Sequence, residues 1–345
     1  MEHYNLRIVF WESTKRCNLA CAHCRMEETE NKYELNTRQA KDLIDDIAEF
    51  ASPVFIFSGG EPLLRKDIFD LAHYAGEKNL KTALATNGTI IDDCIVSKIK
   101  YSSIQRVSIS LDGPDPKTHD ALRRSQGAFN KAEKGLNMLI SAGISSQINM
   151  TVTRKNCHLL EPMIHFALEK RVEALHFFVV VPVGCGRMLD KSELFDAEDY
   201  EQVLKDIYCL EKRYSSKLFV KVTCAPQYYR LLQNKTPEVF KQQPGRLHHI
   251  SKGCLAGTAV CFVSSSGDVY PCGYLPVIAG NILKTPFKEI WQSSEVFKIL
   301  RDNDSLSENC LSCTYQRVCG GCRARAFYAS GGNYMAADPD CIFNV

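Results

Sequence analysis

For about its first 180 residues this chain alternates between short runs of β-branched and aromatic residues and longer stretches with helical spacing of apolar residues. Strand-like runs fall at 6–10, 54–57, 82–85, 107–110, 147–152 and 175–181, separated by amphipathic segments at 37–50, 67–78, 93–99, 129–142 and 159–169. In the first of those segments Ala40, Leu43, Ile44, Ile47 and Phe50 share one face, the spacing of a helix lying on a sheet. Strands joined through helices run parallel, with crossover connections. Six such units, where a closed barrel has eight, predict an α/β fold: a partial (β/α)6 TIM barrel over residues 1–188. The site of such a fold lies at the carboxyl ends of its strands. The polar segment CNLACAHC and the glycine-bearing SGGEP, TNG and SLDGP follow strands one to four, all at that end.

Beyond the barrel, residues 189–250 read as a mostly helical bridge. Residues 251–345 carry short strands near 259–263 and 268–271, a helix near 287–300, many turns and eight cysteines. So small a region with so little apolar periodicity needs staples, and metal clusters supply them. The whole chain has 16 cysteines among 345 residues. Nothing at its start resembles an export signal, so a disulfide framework is not expected and a cytoplasmic, reducing location is. Clustered thiols then point to metal ligation. A net charge of +2 argues against nucleic acid or an anionic membrane as partner, and no apolar run is long enough for a membrane span. The content of 45% apolar and 24% charged residues fits a folded chain.

Cys17-x3-Cys21-x2-Cys24 sets three thiols in one loop. A [4Fe–4S] cube ordinarily takes four cysteines, so three leave one iron open to a chelating ligand. A zinc site with His23 as a fourth ligand is the alternative on these residues. In the C-terminal region Cys254 precedes Gly267-x4-Cys272, and Cys310-x2-Cys313-x5-Cys319-x2-Cys322 is followed by Cys341. Cys261 is a further candidate there. The remaining five cysteines, Cys94, Cys157, Cys185, Cys209 and Cys224, read as small buried apolar residues.

The first cysteine loop, a CxxxCxΦC pattern with His23 at Φ, resembles the signature of the radical S-adenosylmethionine (SAM) superfamily. The C-terminal cysteines resemble the SPASM extension found on many of its members, except that the last interval is x2 rather than x3. The resemblance implies a partial barrel that holds a [4Fe–4S] cluster on Cys17, Cys21 and Cys24, with SAM chelating the open iron. It also implies one or two auxiliary [4Fe–4S] clusters, with Cys254, Cys261, Cys272 and Cys322 on one and Cys310, Cys313, Cys319 and Cys341 on the other. Staple and electron carrier are both open roles for these. Around SAM, the resemblance places Ser58, Gly59, Gly60 and Glu61 at the amino group. Thr86, Asn87, Ser110 and Asp112 fall at ribose and carboxylate, and Met150 and Thr151 near the adenosyl group, beside His23.

Finer stretches, among them RIVFWESTKRCNLACAHCR, SISLDGPDPKTHDALRRSQGAF, QINMTVT and CLAGTAVCFVSSSGDVYPCGYLPVIAGNI, are similar to the radical SAM enzymes of alternative haem biosynthesis. The implied substrate is iron-coproporphyrin III or a related tetrapyrrole, with two propionates oxidatively decarboxylated to vinyl groups. A low-potential donor such as flavodoxin or ferredoxin would supply electrons. Sibling tetrapyrrole enzymes, a peptide maturase, and an iron–sulfur protein without a substrate remain as alternatives. A substrate with four carboxylates calls for cationic and hydroxyl donors. Arg7, Arg25, Arg123, Arg187 and Tyr274 stand near the expected mouth, and His176, His248 and His249 are candidates to approach the iron.

Overall fold

The computed structural model describes residues 4–26, 33–237 and 252–344. Seven strands follow one another in parallel and in chain order. They are β1 (Ile8–Glu12), β2 (Val54–Ser58), β3 (Lys81–Thr86), β4 (Ile104–Ser110), β5 (Ser146–Val152), β6 (Ala174–Val179) and β7 (Phe219–Thr223). Between them run the helices α1 (Thr37–Phe50), α2 (Ile68–Glu77), α3 (Asp93–Tyr101), α4 (Pro116–Arg123), α5 (Ala128–Ser141), α6 (Leu160–Glu169) and α7 (Ala197–Tyr214). After β7 come α8 (Gln227–Lys235), then β8 (Val260–Val263), β9 (Asp268–Tyr270) and β10 (Gly280–Asn281). Four short helices, α9 (Phe287–Ser293), α10 (Glu295–Arg301), α11 (Glu308–Leu311) and α12 (Arg323–Ala329), complete the chain.

Local chemistry explains where the helices begin. Asn36 and Gln39 form a reciprocal cap on α1, and Asp92, Asp115 and Asp196 accept first-turn amides of α3, α4 and α7. Pro116, which has no amide hydrogen to lose, opens α4. The expected helix near 287–300 is broken at Ser294 into α9 and α10, because that residue takes ψ 132°. Alternation along each strand divides the sheet into two faces. Val9 and Trp11, Phe55 and Phe57, Ile148, Met150 and Val152, and Phe177 and Val179 are buried in one apolar core under the helices.

Two findings correct the division expected from sequence. The segment 189–250 is not only a helical bridge, since β7 lies within it and pairs in parallel with β6. The cysteine-rich region does not start a sheet of its own. Its strand β8 pairs in parallel with β1, so the order is β10-β9-β8-β1-β2-β3-β4-β5-β6-β7 in one sheet of ten strands. The reason is the edge: β1 would otherwise show a row of unpaired backbone groups, and β8 covers it. Among the described residues no helix is long and apolar enough to cross a membrane.

Candidate active site and thiol clusters

The first cysteine loop leaves β1 and is strapped down before it reaches Cys17. The Ser13 amide and hydroxyl both donate to the Ser58 carbonyl, and the Arg65 guanidinium donates to the Ser13 carbonyl, each at 2.8 Å. Gly60 N–H donates to the Thr14 carbonyl and Glu61 N–H to the Arg16 carbonyl, both at 2.8 Å. This contact explains the glycine pair. A Cβ on Gly60 would stand 2.4 Å from the Arg16 carbonyl oxygen, and one on Gly59 2.5 Å from that of Thr14. The glycines admit the chain's own strap as closely as they would admit a ligand.

The three thiols are partly buried and feel one another. Burial, then neighbouring Glu61 and the other two thiols, pushes Cys17 up against the pull of the Leu19 amide, which donates to its Sγ at 3.4 Å. Cys21 receives the Arg123 guanidinium at 3.6 Å. Arg123 is 8% exposed, and its Nε forms an ion pair with Asp112 Oδ2 at 2.8 Å, though not aligned as a hydrogen bond. Asp112 also accepts the Thr151 amide at 2.9 Å, and its own amide donates to His119 Nδ1 at 3.1 Å. Burial raises the Asp112 carboxyl, but Arg123, His23 and His119 outweigh it and hold the group at about 2.

These partners revise several sequence expectations. Arg123 serves the cysteine loop through Cys21 and Asp112 instead of standing at a substrate mouth. Asp112 and Glu61 are 0% exposed. Both Glu61 oxygens are turned inward, one accepting from the Thr86 hydroxyl and the Leu63 amide and the other from the Asn87 amide, at 2.7–3.1 Å. Burial nonetheless pushes its carboxyl up to about 7. Asn87 ties β3 to the cysteine loop through its side-chain amide on Asn18 at 2.9 Å. Met150 is also 0% exposed and sits in the apolar core, while Asn149 and Thr151 lie on the opposite face of β5. His23 sets its Nε2 3.7 Å from Asp112, and burial keeps it neutral, down to about 4. Among the described residues no three His, Cys, Asp or Glu side chains converge as ligands of a single ion. Ser58, Gly59, Gly60 and Ser110 keep partial exposure at the carboxyl ends of β2 and β4.

At the C-terminal end the thiols assort into two sets. Cys254, Cys272 and Cys322 feel one another, and so does Cys224, a residue passed over in the sequence. Cys261 does not join them. It is 0% exposed in the core, where burial pushes its thiol up and the nearest charge is Arg301. In the second set Cys319 feels Cys341 and Cys310, while the Tyr315 amide donates to Cys313 Sγ at 3.4 Å. Burial first, then neighbouring thiols or carboxylates, pushes Cys272 and Cys319 up to about 12. Such crowding of sulfur is what a metal–sulfur core relieves, so both sets fit a cluster. Cys224 follows β7 directly, in the left-handed region at φ 61°. Its position at the carboxyl end of a strand-like FVKVT run was the available sequence signal.

Arg25 spans the two regions. Its guanidinium lies 4.3 Å above the Phe262 ring and 3.4 Å from Glu12. It also faces Tyr274, which is hydrogen-bonded to Cys224. Arg187 is exposed, 5.5 Å over the Tyr328 ring. Arg7 precedes β1, and His176 lies on β6. His248 and His249 fall outside the described residues.

Residues 11–166 match the model of the radical SAM superfamily, and 254–314 match SPASM, an iron–sulfur cluster-binding domain. The AdoMet-dependent heme synthase of Methanosarcina barkeri is 43% identical over 98% of this chain and 96% of that protein. The chain belongs to the radical SAM superfamily. The AdoMet-dependent heme synthase of Nitratidesulfovibrio vulgaris is 41% identical, over 98% of this chain and 92% of that one. Among solved structures, Streptococcus suis SuiB bound to its precursor peptide SuiA superposes with a TM-score of 0.75 at 19% identity, over 98% of this chain and 76% of that one. That likeness bears on fold alone.

Proposed function

We propose that this radical SAM enzyme is an AdoMet-dependent haem synthase that oxidatively decarboxylates two propionates of iron-coproporphyrin III to vinyl groups, giving haem b. The observation that carries the reading is the 39–43% identity, over nearly its whole length, to three relatives of that name. Cys17, Cys21 and Cys24 would hold the SAM-binding [4Fe–4S] cluster. Cys224, Cys254, Cys272 and Cys322 would hold one auxiliary cluster, and Cys310, Cys313, Cys319 and Cys341 the other. When bound, reduced cluster and SAM supply a 5′-deoxyadenosyl radical that removes a hydrogen atom from the propionate β-carbon, after which carbon dioxide and one electron leave.

This chain's residues prepare that chemistry. The Ser13–Arg16 strap and Gly59–Gly60 fix the height of the cysteine loop above the sheet. Arg123 places a buried cation against Cys21. Arg25, next to the first loop, faces Tyr274, and Tyr274 meets Cys224, so these two side chains link the first cysteine loop to the Cys224 set. Cys224 at the carboxyl end of β7 and Cys272 after β9 place the auxiliary set where it would be suited to receive the departing electron. A small low-potential protein such as flavodoxin or ferredoxin is the fitting donor, and a reducing cytoplasm the fitting location for so many free thiols.

The test is anaerobic incubation of the cluster-loaded protein with SAM, a reductant and iron-coproporphyrin III, followed by mass spectrometry. Loss of two carboxyl groups is expected. Cleavage of SAM beside an unaltered porphyrin overturns the proposal.

A further inference from the structure

We propose that Lys252 and Arg323 form a cation pair seated between the two auxiliary clusters, and that the pair raises the reduction potential of the cluster beside Cys254. Arg323 acts as a hydrogen-bond donor to cluster sulfur and Lys252 as a nearby charge. The inference rests on the two-cluster reading of the C-terminal thiols and is independent of the substrate.

The seat is the turn that the two thiol sets share. Cys319 belongs to one set and Cys322 to the other, and only Gly320 and Gly321 separate them. Three residue steps span at most about 10 Å of chain, so the two sets adjoin. Both glycines lie in the left-handed region, at φ 68° and 64°. A Cβ on Gly321 would stand 2.7 Å from Arg323 Nη2, and one on Gly320 3.4 Å from Lys252 Cε. The turn thus lies flat against both side chains, which gives the bare Gly-Gly interval its physical reason. Lys252 and Arg323 also line one cleft together with Cys254 and Gly320.

The hydrogen bonds around Arg323 leave one donor over. The residue is 4% exposed. Its Nε donates to the Gly321 carbonyl at 3.4 Å, and its Nη1 to the Tyr334 and Ala336 carbonyls, both at 3.0 Å. Nη2 is buried and has no hydrogen-bond partner among the described residues. An orphaned buried donor is costly, and thiolate or sulfide sulfur is the acceptor that the adjoining sets would bring. Lys252 is held at the cleft by Asn303, whose Oδ1 accepts from Nζ at 2.8 Å, and by the Gly253 amide, which donates to the Val318 carbonyl at 2.6 Å. Asp302, an acid lining the same cleft, is turned to its own loop, where it accepts the Asp304 amide at 3.0 Å and the Ser305 hydroxyl at 2.6 Å. Positive charge and hydrogen bonds to sulfur favour the reduced, more negative cluster, so its potential rises. That cluster becomes the readier electron acceptor of the two.

The test is a potentiometric titration of the cluster-loaded protein followed by electron paramagnetic resonance, with iron and sulfide analysis of the same samples. The signal that changes on adding SAM belongs to the first cluster, and the signal lost in Cys254→Ala belongs to the set beside the cations. Lys252→Gln and Arg323→Gln are expected to keep their full iron and to disfavour reduction of that cluster about tenfold, a fall of about 59 mV for one electron. Lys252→Arg should stay within about threefold of the parent. If Arg323→Gln loses iron, because Nη1 also holds two carbonyls, Lys252→Gln carries the test. Full iron with unchanged potentials in Lys252→Gln, or an equal shift of all three clusters, overturns the proposal. Loss of iron in both variants makes the pair structural and overturns it as well. Iron for fewer than three clusters in the parent protein overturns the two-cluster reading, and this inference with it.

Discussion

At the scale of single residues, chemistry was visible and partners were not. Cys224 and Cys261 exchange roles between sequence and structure: one ends β7 among Cys254, Cys272 and Cys322, and the other is sealed in the core. Cys224→Ala should lower the iron bound per chain by roughly one cluster in three, as measured by iron and sulfide analysis. Cys261→Ala should leave the iron unchanged and cost about 1 kcal/mol of stability as a small cavity. Equal iron loss in the two variants would return Cys261 to the ligand set. Met150 was misplaced for a simpler reason. Alternation puts it on the face of Ile148 and Val152, and only Asn149 and Thr151 look the other way. That parity is legible in QINMTV to anyone who first decides which face is covered.

Elements carry the electrostatics of the site. Helix α4 delivers both Arg123 and His119 beneath the first cysteine loop, with His119 packed 6.0 Å from the Phe129 ring of α5. Burial, above all, drops the His119 imidazole from its ordinary 6.5 to about 4, against the pull of Asp112. A base whose folded value is depressed contributes stability above the unfolded value and loses it as pH falls toward the folded one. Stability should therefore decline between about pH 6.5 and pH 4, with on the order of 3 kcal/mol traceable to this ring. In His119→Asn, which keeps an acceptor for the Asp112 amide, that limb should flatten in denaturant melts across pH. An unchanged slope would assign the acid loss elsewhere. Helix α4 itself was missing from the sequence expectation, because its eight residues carry little apolar periodicity.

For the whole molecule, the C-terminal region is built into the barrel instead of being appended to it. Beyond the β1–β8 pairing, Arg325 of α12 donates to both Asp338 oxygens at 2.8–2.9 Å, to the Tyr200 hydroxyl of α7 at 2.9 Å and to the Cys224 carbonyl at 2.9 Å. Asp338 also accepts the Cys322 amide at 2.6 Å and the Gln227 side chain at 2.8 Å. Arg325 and Asp338 have side-chain exposures of 1% and 0%, so removing Arg325 leaves Asp338 a buried charge without its cation. Arg325→Met should cost about 3–5 kcal/mol and loosen both thiol sets together, seen as a lower unfolding temperature and iron loss beyond one cluster. Loss confined to one cluster would show that the pair does not join them.

The amino-acid sequence by itself determined the β/α alternation, the strand ends at which function gathers and the first thiol trio, because each is written within a few turns of chain. Spacing inside one loop survives any tertiary arrangement, and so does the tight Cys310–Cys322 run. Only the tertiary structure decided that β8 closes the edge of β1, that Cys224 and not Cys261 stands beside Cys254, Cys272 and Cys322, and that Lys221 shares a row with His176. Those depend on strand order and register between segments far apart in the chain. Pairing there is chosen by edge satisfaction and core burial across the whole sheet, quantities that no local window of residues contains.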